Sequence, residues 1–331
     1  MSTSSEVRST GIGSWPGQDM AQALKITFAE SPDLPYLPEL PARGEHAGMT
    51  GRATALLSGL AVDLQPAGWR LTDASGRDHR MAKSTLREDL DLLEEMAQGY
   101  VGPIKYSVAG PWTLAAMMER PRGDRVVADP GARRDLSQSL AEGLLQLVGE
   151  MSRRLPDSTA VVQLDEPMMP AVYAGSVHTA SGLSTHRPVD RAELSGAVGY
   201  IVDQLGPEVP VLVHCCARGL PIGLMQAAGV QGIFVDVDQL STSDWDLIGE
   251  GFEKGQWFGA GAAPTGANLS ADQVAERVLR PVRVLDVDPA VAGQLIITPA
   301  CGLAGLDPAA ALQVLRTVRT AAGIVTEELA E

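Results

Sequence analysis

His214 and Cys216 stand two residues apart at the end of an apolar run, 209–213, and Cys301 follows another such run, 295–298. In extended chain, residues two apart point to one side, so His214 and Cys216 share a face and Cys215 points to the other. One imidazole nitrogen and two sulfurs, joined by a nearby carboxylate, complete a tetrahedral zinc set. The tight Cys-x-x-Cys pairs of structural zinc sites are absent, so the pattern suits a catalytic centre with a displaceable ligand. A thiolate-rich zinc is a poor Lewis acid for carbonyls but suits a further thiol. The ordinary thiol pKa of ~8.5 falls on coordination, leaving a thiolate at neutral pH. The product is an activated sulfur nucleophile ready for alkyl transfer. The bland alternative, thiols buried as small apolar side chains, is kept for Cys215.

Those residues need a scaffold that brings distant strand ends together. From about residue 100 onward a short apolar run, a turn and a helical stretch recur, with runs at 104–108, 159–164, 209–213, 232–235, 256–260 and 295–298. These runs lack polar alternation, as strands covered on both faces do. Helical stretches lie at 133–154, 190–205, 220–228, 270–280 and 307–329. Asp307-Pro308 and the Ser270…Gln273 capping box mark two starts. Upstream, 8–12 reads as a first strand, 18–30 as a helix, 35–41 as a second strand end, and 68–83 as a hairpin turning at 73–76. Strand–helix alternation implies parallel pairing with right-handed crossovers. Gly11-Ile12-Gly13-Ser14 lacks the third glycine of a dinucleotide fingerprint and runs into Trp15-Pro16. The α/β class expected is therefore a single closed (β/α)8 TIM barrel, one catalytic domain over residues 1–331. In such barrels the chemistry sits where strands end. Asp165-Glu166-Pro167 and Asp236-Val237-Asp238 hold two more such positions.

Composition narrows the partners. Basic residues number 26 against 41 acidic, a net charge of −15, which repels phosphate backbones and anionic lipid surfaces. Aromatic residues are only 4%, too few for a base-stacking platform. Nucleic acid and membrane are thus excluded as expected partners. Three cysteines, an odd number, make no disulfide framework. No apolar window spans a bilayer and the first eight residues carry no secretory pattern, so a cytoplasmic location is expected.

His214-x-Cys216, an acid about twenty positions on, and Cys301 within Pro-Ala-Cys-Gly-Leu resemble the cobalamin-independent methionine synthases, specifically their C-terminal catalytic barrel. Ile12-Gly13-Ser14-Trp15-Pro16 is similar to the family's Ile-Gly-Ser-Phe-Pro segment. Gly44-Glu45, Gly110-Pro111-Trp112-Thr113 and Asp165-Glu166-Pro167 match further strand-end motifs in order, over about residues 10 to 325. The resemblance implies that His214, Cys216 and Cys301 bind zinc, with Asp236 at the place of the family's Glu and Asp238 as runner-up. It implies that Ile12 and Ser14 bind homocysteine, Ser14 at its carboxylate, and that Asp165 holds its amino group. The implied activity is S-methylation of a zinc-bound thiol, forming methionine.

Two departures bear on the methyl donor. The long family members have two barrels, and their strand-seven loop carries an Asp-x-His-Ser-Pro motif whose His helps protonate the folate leaving group. Here that stretch is Gly259-Ala-Gly-Ala-Ala-Pro-Thr265, without histidine. Short relatives take methyl from a methylated corrinoid protein, whose cobalt leaves without a proton, so a methylcobamide is the expected donor. His178 or His186 is the alternative acid. Two further readings stay open: transfer to another thiol such as coenzyme M, which has no amine for Asp165 to hold, and a non-catalytic zinc or corrinoid-protein-binding module.

Overall fold

Runs of β-branched residues flanked by turns build the sheet. The structure, a computed structural model, describes residues 6–330; residues 1–5, on which the expectation of no secretory pattern partly falls, lie outside the described residues. The strands are β1 (Arg8–Ser9), β2 (Ala61–Gln65), β3 (Gly68–Thr72), β4 (Gly102–Ala109), β5 (Ser158–Asp165), β6 (Val211–Cys215), β7 (Gly232–Asp236), β8 (Trp257–Ala263) and β9 (Leu295–Pro299). Seven of them form one curled parallel sheet in the order β1-β9-β8-β7-β6-β5-β4, while β2 and β3 pair separately as an antiparallel hairpin. The helices are α1 (Met20–Glu30), α2 (Met49–Leu56), α3 (Arg77–Met96), α4 (Pro111–Met117), α5 (Pro130–Arg154), α6 (Met169–Ala174), α7 (Arg191–Leu205), α8 (Ile222–Ala227), α9 (Thr242–Glu253), α10 (Ala271–Val284) and α11 (Pro308–Ala330). The capping box closes α10 as expected, with both Ser270 and Gln273 bonds formed. Asp307 accepts from the amides of Ala309 and Ala310 at the start of α11.

The architecture is TIM-barrel-like, but its ladder does not run all the way round, which corrects the expectation of a closed eight-stranded barrel. β1 is only two residues long. The gap between β1 and β4 is spanned by residues 35–39, an extended segment making isolated bridges to Ser14 on one side and Lys105 on the other. Four backbone bonds hold it: Lys105 N to Pro35 O at 2.9 Å, Leu37 N to Lys105 O at 3.0 Å, Glu39 N to Gly13 O at 3.0 Å and Trp15 N to Glu39 O at 2.8 Å. Pro35 and Pro38 have no N–H to give, so a continuous ladder strand cannot form there. A second correction concerns 68–83. The hairpin is β2–β3, turning at Pro66-Ala67, and 77–96 is helix, because His79, Ala82, Leu86, Leu90 and Leu93 bury one face at helical spacing.

Most apolar side chains pack between the sheet and its surrounding helices. The barrel interior is layered differently. Its floor is apolar, made of Leu34, Val161, Leu212, Phe234 and Ile296. Lys105 stands level with Val161 in the parallel register, and two residues further along Ser107 pairs with Gln163; all three polar side chains are buried. The strand ends above carry Asp165 and His214. An apolar base, a polar middle and a reactive rim thus stack along one axis, as inward-facing residues two apart require.

Candidate functional site

Parallel pairing sets Asp165, the last residue of β5, directly beside His214 near the end of β6. His214 Nδ1 donates to Asp165 Oδ1 at 2.9 Å. Because a carboxylate only accepts, this bond puts a proton on Nδ1, so in the neutral ring Nε2 is the nitrogen that carries the lone pair. Nε2 is buried and has no hydrogen-bond partner. A metal-ligating histidine is commonly fixed in this way, by a carboxylate on its other nitrogen. Asp165 Oδ1 also accepts from Gln163 Nε2 at 2.7 Å, so that oxygen is spent while, among the described residues, no hydrogen bond occupies Oδ2.

Cys216 and Cys301 come together from chain positions far apart, with their sulfurs 3.0 Å apart; both are free thiols. The hydrogen bond shared with Cys216 draws the Cys301 thiol down to about 6, with His214 adding to the shift when its ring is charged, while the same sharing pushes Cys216 up. Burial pushes Cys215 up to about 12. It packs in the apolar layer outside the sheet, as its opposite facing on the strand requires. Among the described residues, no group of three or more His, Cys, Asp or Glu is already gathered as a metal site. What is gathered is a touching pair of sulfurs and a buried imidazole nitrogen with an unused lone pair, at the mouth of one barrel. That donor set, one nitrogen and two soft sulfurs, fits zinc.

The two aspartates beyond β7 are otherwise engaged. Asp236 caps the turn that follows it, accepting from Asp238 N at 3.0 Å and from Gln239 Nε2 at 3.2 Å. Asp238 pairs with Arg277 at 2.6 Å. A cavity of about 470 Å³ between α9 and α10 has Asp238 and Arg277 in its lining, but neither cysteine. Gly261 on β8 lets the ends of β7 and β9 approach, since a Cβ there would lie 3.1 Å from Asp236 Cα and 3.0 Å from Ala300 Cα.

Ser14 reaches the same rim. Leu303 N donates to Ser14 O at 3.0 Å, and Ala304 N to its Oγ at 3.4 Å. A Cβ on Gly302 would collide with the Ser14 hydroxyl, which gives the glycine after Cys301 a steric reason. The Ile12 carbonyl, also buried, accepts from Lys105 Nζ at 2.7 Å, Ser107 Oγ at 2.9 Å and Gln163 Nε2 at 2.9 Å.

Glu39 was not among the residues anticipated. Gly44-Glu45 matched the motif by sequence, but Glu45 is exposed whereas Glu39 is buried. Burial pushes the Glu39 carboxyl up to about 7; Arg52 opposes the shift and Asp165 adds to it. Among the described residues that carboxyl has no hydrogen-bond partner. The signal available in the sequence was its place in 35–41, an expected strand end. Glu166, next to Asp165, does something else. It is fully buried and accepts from Trp112 N at 3.0 Å, Thr113 N at 2.7 Å and Thr113 Oγ1 at 2.7 Å. It therefore anchors the start of α4. The β8 segment Gly259–Thr265 carries no titratable side chain. His186 lies 3.3 Å from Asp124, and no hydrogen bond or ion pair joins His178 or His186 to the cysteines or Asp165.

The family model described as the catalytic domain of cobalamin-independent synthase matches residues 7–324. Among solved structures, the chain is similar to a B12-independent methionine synthase from Shewanella sp. W3-18-1, in complex with selenomethionine, at 15% identity and a TM-score of 0.61, covering 98% of this chain and 99% of that one. It is also similar to a methyltransferase from Methanosarcina mazei, at 13% identity and a TM-score of 0.57, covering 95% and 93%. At such identities the likeness speaks for the fold. No curated protein sequence matches the chain significantly. Among the described residues no helix is long and apolar enough to cross a membrane.

Proposed function

This chain belongs to the cobalamin-independent synthase family and is a methyltransferase of its catalytic-domain type, and from that premise we propose that it forms methionine by zinc-dependent S-methylation of homocysteine. The observation that carries the reading is the buried His214 Nε2, held as a free lone pair by Asp165, at the same barrel mouth as the Cys216–Cys301 sulfur pair. His214, Cys216 and Cys301 would hold the metal, with Asp236 as the carboxylate ligand after giving up its capping bonds. Asp238, already paired with Arg277, stays the runner-up. Bound zinc supplies one thing, a lowered proton affinity for the substrate sulfur, so that a thiolate persists at neutral pH.

The chain's own residues supply the rest. Asp165 Oδ2 and the Glu39 carboxyl make a buried acidic pair with open acceptors, a receptor for the substrate ammonium. A cation there relieves the like-charge repulsion and the burial cost that raise Glu39. Ser14, at the Cys301 rim, takes the substrate carboxylate. Coenzyme M, lacking an amine, would leave Glu39 and Asp165 unpaired, so the acidic pair favours an amino-acid thiol.

The methyl donor is read as a methylcobamide, carried by a methylated corrinoid protein. The substrate sulfur uses a lone pair to form the new C–S bond, the carbon–cobalt bond breaks, and its electron pair stays on cobalt, with no proton transferred. Expelling tetrahydrofolate would demand protonation at nitrogen, and β8 has no acid to offer. The test is zinc content together with methionine formation from homocysteine, using methylcobalamin and methyltetrahydrofolate in turn. Stoichiometric zinc and turnover with methylcobalamin alone are expected. A zinc-free active protein would overturn the metal, and equal turnover with the folate would overturn the donor.

A further inference from the structure

Below the reactive rim lies a buried cation that the chemistry above does not use. Lys105, on β4, is fully buried. Its Nζ donates to Gly11 O at 2.8 Å, Ile12 O at 2.7 Å and Gln163 Oε1 at 2.6 Å, and it lies 5.1 Å from the centre of the Tyr36 ring. Its three donors are matched by three acceptors, all neutral. Desolvation draws the ammonium down to about 7, and the charge of Asp165 opposes that shift. Burying an ammonium among neutral acceptors costs stability.

What depends on it is visible in Gln163. A glutamine amide offers two nearly identical ends, and only its neighbours decide which way it points. An ammonium cannot accept, so Lys105 compels Gln163 Oε1 to face it. The amide Nε2 is then turned towards Ile12 O at 2.9 Å and Asp165 Oδ1 at 2.7 Å. Asp165 Oδ1, so fixed, receives His214 Nδ1–H at 2.9 Å, and Nε2 is left as the lone pair. In parallel, Lys105 grips the Gly11 and Ile12 carbonyls, which set the chain entering Ser14.

We propose that Lys105 is a positioning residue that aligns both halves of the site at once: the metal-binding face of His214, through Gln163 and Asp165, and the substrate-binding segment Ile12–Ser14, through its carbonyls. The inference rests on His214 being a zinc ligand. Outer partners of metal ligands are typically worth roughly 10–100-fold in metal affinity. Lys105→Met keeps much of the volume and removes the charge, freeing the Gln163 amide to turn over. In the full chain, zinc affinity read by competition with a chromophoric chelator should fall about tenfold. The affinity for methionine at saturating zinc should fall as well.

A structural role alone is separated by the double variant Lys105→Met, Gln163→Met. It removes the unpaired amide, so its melting temperature should recover towards wild type while its zinc affinity stays low. Recovery of zinc affinity together with stability would overturn the proposal, as would wild-type zinc or methionine affinity in folded Lys105→Met. If Lys105→Met does not fold, Gln163→Met decides alone: weakened zinc binding supports the relay and unchanged binding refutes it. Failure of the wild-type protein to take zinc at all would instead strike the functional reading, so the two failures are distinct.

Discussion

At the mouths of β5 and β6 polar side chains are bonded to one another and leave acceptors free. At the ends of β7 and β8 they are consumed or missing. Asp165 and His214 share one bond and each keeps an open atom, Oδ2 and Nε2. Asp236 spends its carboxylate on the turn after β7, Asp238 on Arg277, and β8 ends in small residues without a titratable group. One side of the rim keeps an acceptor oxygen and a ring nitrogen open. The other is built to stay folded. The same contrast divides neighbours in sequence: Asp165 serves the rim, whereas Glu166 is buried beneath α4 as its anchor. Open acceptors in a desolvated setting cost free energy, so their concentration on one side points to where a ligand is expected.

Breaking the thiol side should have the largest effect. Cys216→Ser, Cys301→Ser or His214→Ala is expected to remove stoichiometric zinc and take methionine formation to background, measured by metal analysis and product assay. Next in size is the donor. With no acid at β8, methyltetrahydrofolate should support turnover roughly 10²–10⁴-fold slower than methylcobalamin, and a rate within a few-fold would show that the β8 side is not idle.

Acidic-pair variants sharpen the comparison further. Glu39→Gln removes a charge-assisted partner worth ~1.5–3 kcal/mol, so methionine affinity should drop roughly 10–150-fold with zinc content unchanged. Asp165→Asn should lower methionine and zinc affinity together, because Oδ1 also fixes His214. The pH dependence has a definite sign. Glu39 titrates at about 7 in the folded protein, so it is neutral below that pH and charged above it. Methionine binding should therefore weaken as pH falls through about 7, and in Glu39→Gln that part of the profile should be flat. The raised value also means that charging Glu39 opposes folding, a penalty absent below its unfolded pKa and full above about 7. Glu39→Gln should accordingly melt higher than wild type at pH 8.

The smallest effects belong to β7. Asp236→Ala should cost about 1 kcal/mol as a lost cap, and zinc affinity should fall with it if Asp236 is the carboxylate ligand. Asp238→Ala breaks a half-exposed ion pair and should cost less than about 1 kcal/mol. A zinc loss with Asp238→Ala and none with Asp236→Ala would reverse the assignment between them.

How much of this could be read in advance follows from what each feature depends on. Strand runs, helix caps and the His-x-Cys spacing are local: apolar side chains at a fixed period, a Ser or Asp before a helix, two residues on one face of extended chain. The six runs after residue 100, the Ser270 box and the outward packing of Cys215 are therefore all legible. The 68–83 hairpin was misread because Asp73-Ala-Ser-Gly76 is turn chemistry wherever it stands, and only packing decides that it precedes a helix. The meeting of Cys216 with Cys301 was expected from their places at strand ends, whereas the broken barrel ladder and the burial of Glu39 but not Glu45 depend on segments distant in sequence brought together. The orientation of Gln163 depends on Lys105, whose ammonium lies 58 residues away in sequence. Residue types and short spacings specified the chemistry this protein can do. Only the folded barrel, by removing water and bringing charge to charge, decided which atoms are left open to do it.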